Sequence, residues 1–460
     1  MNMDDLKQSC HELSLPVTEK CNPISRDIDR VNGKQMVQIL RRCDAEIFEK
    51  KNHDPLHQRL YSSPVIQTMV DVAKRVEMML RDPEESLIVL SGCGTSGRIA
   101  FLLVTSFNEM LKAQKQKQIC SYIIAGGDRA LLTSQEAPED DTALGARTLD
   151  KICAGKKHVL FIGISCGMSS VFRVTRRPES LIVLSGCGTS GRIAFLLVTS
   201  FNEMLKAQKQ KQICSYIIAG GDRALLTSQE APEDDTALGA RTLDKICAGK
   251  KHVLFIGISC GMSAPFVAGQ LDFCLKHLDV FTPVLLGFNP VHMARSEPMQ
   301  DCSFHFKDIA EMMAAEQRHK KAFVLNPVLG AEAISGSSRM KGGSATKIIL
   351  ESILLAGHEA TFRGKRMTPE CISAWITASE MVHETTYSHS DELATLIHQA
   401  GESLQMNAHV YYIGWQTLGI IGLTDASECI PTYGADFDDI RGFINNGFRE
   451  MKNKEGESYH

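Results

Sequence analysis

Residues 85–169 of this 460-residue chain recur letter for letter at 179–263, a shift of 94 positions. Nothing else in the sequence constrains the fold as much. Repeats that build solenoids drift apart, because each unit meets different neighbours; perfect identity marks a recent duplication or an error of gene assembly rather than a repeat architecture. The nine residues between the copies, SVFRVTRRP, read as a junction. One copy keeps the upstream context QTMVDVAKRVEMMLRD (67–82), and the other keeps the downstream context APFVAGQLDFCLKHL (264–278). Removing 94 residues anywhere in register restores one continuous domain.

Within a copy, apolar runs ending at glycine alternate with helical spacing. SLIVLSG (86–92), SYIIAGG (121–127) and HVLFIGIS (158–165) predict buried strands. Segments 98–115 and 141–157 predict helices between them, and TPVLLGFNP (282–290) and KAFVLNP (321–327) add two strands. This order predicts an α/β domain, a doubly wound parallel sheet covered by helices on both faces. Such sheets bind ligands at the carboxyl ends of their strands. Three units are expected: an N-terminal helical or irregular segment (1–65), a main domain holding the duplication (66–380), and an incomplete second α/β unit (381–460). HVYYIGWQTLGIIGLTDASECIPTYGADF (409–437) begins that last unit, and the polar stretch 445–460 follows it. A lone strand and helix cannot bury both faces, so the chain is expected to be truncated there.

Composition excludes several classes. A formal net charge of -4 gives no field for nucleic acid or an anionic membrane. No window approaches a membrane span, and MNMDDLKQSC lacks the apolar core of a signal peptide. Eight of the fifteen cysteines are four pairs copied by the duplication (Cys93/Cys187, Cys120/Cys214, Cys153/Cys247, Cys166/Cys260). Without CxxC spacing they read as buried thiols of an intracellular protein, and no metal site is expected.

Three segments carry chemistry. GCGTSGR (92–98, again 186–192) joins a strand end to a helix start, where backbone N–H groups and the helix dipole favour an anion. Thr95 and Ser96, or Thr189 and Ser190, can donate to phosphate oxygens there. The loop lacks the GxGxxG order of a dinucleotide fold and the lysine of a P-loop. GISCGMS (163–169, again 257–263) repeats the design on the third strand, with Ser165 and Ser169, or Ser259 and Ser263, flanking its glycine turn. A plain helix-capping turn is the alternative for both motifs. AISGSSRMKGGSATKIILES (333–352) is a polar loop carrying Arg339 and Lys341, leading into a helix with Glu351.

GCGTSGR, IAGGDRALL (123–131), GISCGMSAPF (257–266) and SGSSRMKGGSATK (335–347) together resemble the glucokinase regulatory protein family of sugar-isomerase (SIS) fold. They are also similar to the N-acetylmuramic acid 6-phosphate etherases, as is TEKCNPISRDIDR (18–30). KGGSATK, followed by a second SIS unit opening on GWQTLGIIG, favours the regulators. The resemblance implies a regulator of glucokinase, in cytoplasm and nucleus, that binds fructose 6-phosphate or fructose 1-phosphate and needs no cofactor. Its ligand residues would be Thr95, Ser96, Glu139, Ser165, Cys166, Gly167 and Ser169, with Glu351 on the signature helix. In the second copy they are Thr189, Ser190, Glu233, Ser259, Cys260, Gly261 and Ser263. Identical residues do not say which set is used; only the second leads directly into 264–278, which favours it for the GISCGMS turn. Etherase activity is the first alternative. The resemblance places a glutamate eight residues after the TSGR arginine, where this chain has Ser106 and Ser200, and a hydroxyl cannot replace that acid. Glu428 of DASEC has matching spacing in the second unit, but its turn lacks the TSGR cradle. The second alternative is an inactive product, because a doubly wound domain has no place for two identical strand sets.

Overall fold

The computed structural model describes residues 15–50, 57–81, 86–92, 120–124, 158–165, 180–187, 193–194, 197–198, 201, 214–218, 236–247, 253–299, 302–338, 340–414 and 416–445. The predicted strands appear as β1 (Ser86–Gly92), β2 (Cys120–Ile124) and β3 (His158–Ser165), repeated as β4 (Ser180–Gly186), β5 (Cys214–Ile218) and β6 (Val253–Ser259). β7 (Phe281–Leu286) and β8 (Phe323–Leu325) complete an eight-stranded sheet in the order β1-β2-β5-β4-β3-β6-β7-β8. Its pairings are parallel apart from one antiparallel contact, Ile88↔Cys214 between β1 and β5. Each duplicated strand also meets its own copy in register, Val89↔Val183, Cys120↔Cys214 and Phe161↔Phe255.

Helices cover the sheet, and local chemistry sets their ends. α1 (Gly33–Ala45) starts at a capping box in which Asn32 Oδ1 accepts the Gln35 N–H at 3.0 Å and Gln35 Oε1 accepts the Asn32 N–H at 3.2 Å. α2 (Ser63–Arg81) leads into β1; α3 (Thr236–Cys247) and α4 (Pro265–Leu275) flank β6, and α4 has proline in its first turn, where no N–H is missed. α5 (Phe306–Gln317) lies between β7 and β8 in the chain. α6 (Lys341–Arg363) stops at Gly364, whose φ of 64° is the left-handed conformation that ends helices. It packs along α2, where a Cβ on Gly357 would lie 2.8 Å from a Val76 methyl.

The fully buried strands β6 and β8 and the face of α6 carrying Ile349, Leu350 and Ile353 form one core with Val70, Ala73 and Val76 of α2. α7 (Pro369–Ser388) and α8 (Ser390–Gln405) follow, and both lie against α1. Tyr387 of α7 donates its hydroxyl to Asp44 of α1 at 2.5 Å.

The last described elements form a β9–α9–β10 motif: β9 (Val410–Gly414), α9 (Gln416–Tyr433) and β10 (Ile440–Ile444), the strands parallel with Val410↔Ile440 in register. Tyr411, Ile413, Leu418, Ile421 and Phe443 are exposed there, so this unit leaves apolar surface uncovered among the described residues. No helix among the described residues is long and apolar enough to cross a membrane.

Candidate functional site

β6 ends at Ser259, and the GISCGMS turn lies at the carboxyl edge of the sheet before α4. Ser259 is 1% exposed, and its Oγ accepts the N–H groups of Ser263 at 3.0 Å and Ala264 at 3.3 Å. Both N–H groups lie just before Pro265, the first residue of α4. Ser259 thus closes the turn that leads into α4. It uses the oxygen as acceptor and leaves the hydroxyl proton available to donate. Met262 adopts φ 53°, and a Cβ on Gly261 would lie 3.1 Å from Ser263 Oγ, so a side chain at 261 would crowd the second hydroxyl.

A loop from the N-terminal segment lies over this turn. Asn289 is fully buried and donates through Nδ2 to the Gly261 carbonyl at 3.0 Å and to Thr18 Oγ1 at 2.9 Å. Its Oδ1 accepts the Thr18 N–H at 3.1 Å. Arg295 donates from Nη1 to the Ser263 carbonyl at 3.4 Å, bringing a guanidinium to the edge of the turn. Burial, then the neighbouring Glu297, raises the Glu19 carboxyl above its usual range, and Arg295 opposes the shift.

The third wall is the start of α6. Glu332 accepts the N–H groups of Lys341 at 2.8 Å and Gly342 at 2.9 Å, so a carboxylate of the chain itself sits at this helix N-terminus. Burial pushes Glu332 up to about 7, even though those two hydrogen bonds and the Lys341 charge pull it down. Lys341 is buried, with its ammonium on Glu46 and on the Ala331 carbonyl at 2.7 Å. Asn22 shares both acceptors, at 2.8 Å from the Ala331 carbonyl and 3.1 Å from Glu46. The KGG motif thus fastens the N-terminal segment to the domain. Cys260 Sγ lies 3.9 Å from Thr346 Oγ1, joining the turn to α6.

Of the residues expected from sequence, Ser259, Cys260, Gly261 and Ser263 are brought together here. Ser165 ends β3 and pairs in register with Ser259. Glu351 is ion-paired with Lys347 at 2.7 Å, ten residues into α6; that is roughly 15 Å along the axis from the helix start. Thr95, Ser96, Glu139, Cys166, Gly167, Ser169, Thr189, Ser190 and Glu233 lie outside the described residues, as do Ser106, Ser200 and Arg339. Sequence reading missed Thr18, Asn289 and Glu332. TEKCNP carried a signal for the first, and an asparagine closing the strand run TPVLLGFNP carried one for the second.

Two family models match the chain. That of the glucokinase regulatory protein N-terminal SIS domain matches twice, at residues 71–176 and 169–275, and that of the second SIS domain of the same protein matches 387–459. The chain is 42% identical over 448 residues to the glucokinase regulatory protein of Xenopus laevis, covering 97% of this chain and 57% of that protein. It is 40% identical over 450 residues to the Mus musculus protein of that name, covering 98% and 57%. An N-acetylmuramic acid 6-phosphate etherase of Jannaschia sp. is 32% identical over 230 residues, 49% of this chain and 64% of that enzyme. The chain therefore spans little more than half the length of the regulatory proteins it matches.

Proposed function

The chain belongs to the glucokinase regulatory protein family, and from that premise we propose that it binds a fructose phosphate and, through it, sets its grip on glucokinase. The observation that carries the sugar-phosphate half is the 259–263 turn: two serines at the carboxyl edge of a parallel sheet, at the start of α4, with Arg295 beside them. The Ser263 hydroxyl, the donor proton of Ser259 and the positive end of α4 suit a dianionic phosphate. Thr189 and Ser190, or Thr95 and Ser96, supply the second cradle, and Glu233 or Glu139 receives a sugar hydroxyl. Glu351 belongs to this set by family resemblance alone.

The partner half rests on the names of the relatives. A ligand with unequal affinity for two conformations shifts the balance between them, and with it the grip on the enzyme. The reading is a regulator of cytoplasm and nucleus that performs no chemistry of its own. Ser106 and Ser200, standing where the etherase resemblance implies a glutamate, support the absence of lyase chemistry.

Thermal unfolding with and without millimolar fructose 6-phosphate tests the binding step. An increase in melting temperature that Ser263→Ala reduces supports the reading, and no shift in the unaltered chain refutes it. Glucokinase assayed with the chain and with the sugar phosphate tests the partner. Incubation with N-acetylmuramic acid 6-phosphate should release no lactate.

A further inference from the structure

The missing side chain of Gly261 leaves a corner in the 259–263 turn, and polar atoms from two distant parts of the chain surround it. Setting aside the adjoining residues, the three heavy atoms nearest to a Cβ at 261 are all side-chain oxygens: Ser263 Oγ at 3.1 Å, Thr18 Oγ1 at 3.7 Å and Glu19 Oε1 at 3.8 Å. One belongs to the turn itself and two to the N-terminal segment.

The N-terminal pair is held there from several sides. The Glu19 N–H donates to the Pro16 carbonyl at 3.0 Å, closing a single 3-10 turn over Val17–Glu19. Thr18 is locked to Asn289 by two hydrogen bonds, and the same Asn289 amide holds the Gly261 carbonyl. Beyond Glu19 the segment is fastened again: Asn22 donates to the Ala331 carbonyl at 2.8 Å, and Ser25 to the Ala333 carbonyl at 2.6 Å.

The chemistry of the corner is uneven. Thr18 Oγ1 accepts from Asn289 and keeps its own proton to donate. The Glu19 carboxylate, with Arg295 and Glu297 as its charged neighbours, accepts no hydrogen bond from any described residue. An ionised carboxylate can only accept, and it repels a phosphate. A sugar hydroxyl meets both demands, because it donates to the carboxylate and accepts from the threonine.

We propose that Glu19, carried over the turn by the N-terminal segment, is a further ligand residue: it accepts a hydroxyl of the sugar while the phosphate sits on the Ser263 side, and so selects phosphorylated sugars or polyols over bare phosphate. This rests on the sugar-phosphate reading of the turn and adds to it a residue that the glycine motifs do not contain.

The test is calorimetric titration of the full chain with fructose 6-phosphate and with inorganic phosphate, in the parent and in the Glu19→Gln and Glu297→Gln variants. Glu19→Gln alters an exposed side chain, so the melting temperature should stay within about 1 °C. Fructose 6-phosphate should weaken about tenfold, the loss of one hydrogen bond to a charged group, while inorganic phosphate binds as before or tighter. Glu297→Gln removes the neighbouring charge and should leave fructose 6-phosphate within about twofold. Unchanged fructose 6-phosphate affinity in Glu19→Gln would overturn the role of Glu19 and leave the sugar-phosphate reading standing. Equal losses for both compounds would mean that Glu19 only shapes the turn, and equal losses from both variants would mean that charge alone acts; either result overturns the proposal. A parent chain that binds neither compound refutes the underlying reading, and the proposal with it.

Discussion

Glu332 caps the start of α6 with a carboxylate that has almost no access to water. Its pKa rises from 4.5 to about 7, chiefly by burial. Below about pH 4.5 the group is protonated in both the folded and unfolded chain. As pH climbs from there to about 7, the unfolded chain releases the proton while the folded chain keeps it, so stability falls across that window and levels off above it. His358 works in the opposite direction: burial, then Arg363, lowers it from 6.5 to about 3. The unfolded chain therefore takes up a proton below pH 6.5 that the folded chain refuses, and stability falls on acidification. Glu332→Gln should remove the first slope alone. Measured by melts from pH 5 to pH 8, the variant should gain on the parent by up to about 3 kcal/mol toward the alkaline end. Parallel profiles would show that Glu332 does not carry the slope.

At the scale of elements, helix contacts depend on missing side chains. A Cβ on Gly357 in α6 would meet Val76 of α2 at 2.8 Å and the Ala73 carbonyl at 3.1 Å. Gly357→Ala should push the two helices apart and cost about 1–3 kcal/mol in chemical denaturation. Leu396→Ala on α8, where the side chain is 62% exposed, should change stability by less than about 0.5 kcal/mol. The elements themselves were legible from the residues. β1 and β3 match their predicted spans, because an apolar run closing on glycine or serine leaves little freedom of boundary. α2 starts four residues earlier than its apolar pattern, as Ser63 and Pro64 suit a first helical turn. The walls of the site were less legible. Thr18 and Asn289 meet across 271 positions and Lys341 and Glu46 across 295, and no local pattern encodes such distances. Lys341 read as half of a basic pair in a polar loop; in the fold it is a buried fastener.

For the molecule as a whole, the duplication and the last motif make opposite demands. The sheet takes in both sets of duplicated strands, whereas β9, α9 and β10 leave apolar side chains uncovered, with Ile413 83% exposed. Ile413→Lys should lower the binding of a hydrophobic dye and leave the melting temperature within about 1 °C, since the side chain buries little. A marked fall in melting temperature would mean that something covers it.

The proposed function turns on where a phosphorylated ketose sits, and a crystal structure of the chain grown with fructose 6-phosphate measures that directly. A phosphate oxygen is expected within hydrogen-bonding distance, about 2.6–3.2 Å, of the Ser263 hydroxyl beside α4. A sugar phosphate held elsewhere on the molecule, with the 259–263 turn facing only solvent, would contradict it.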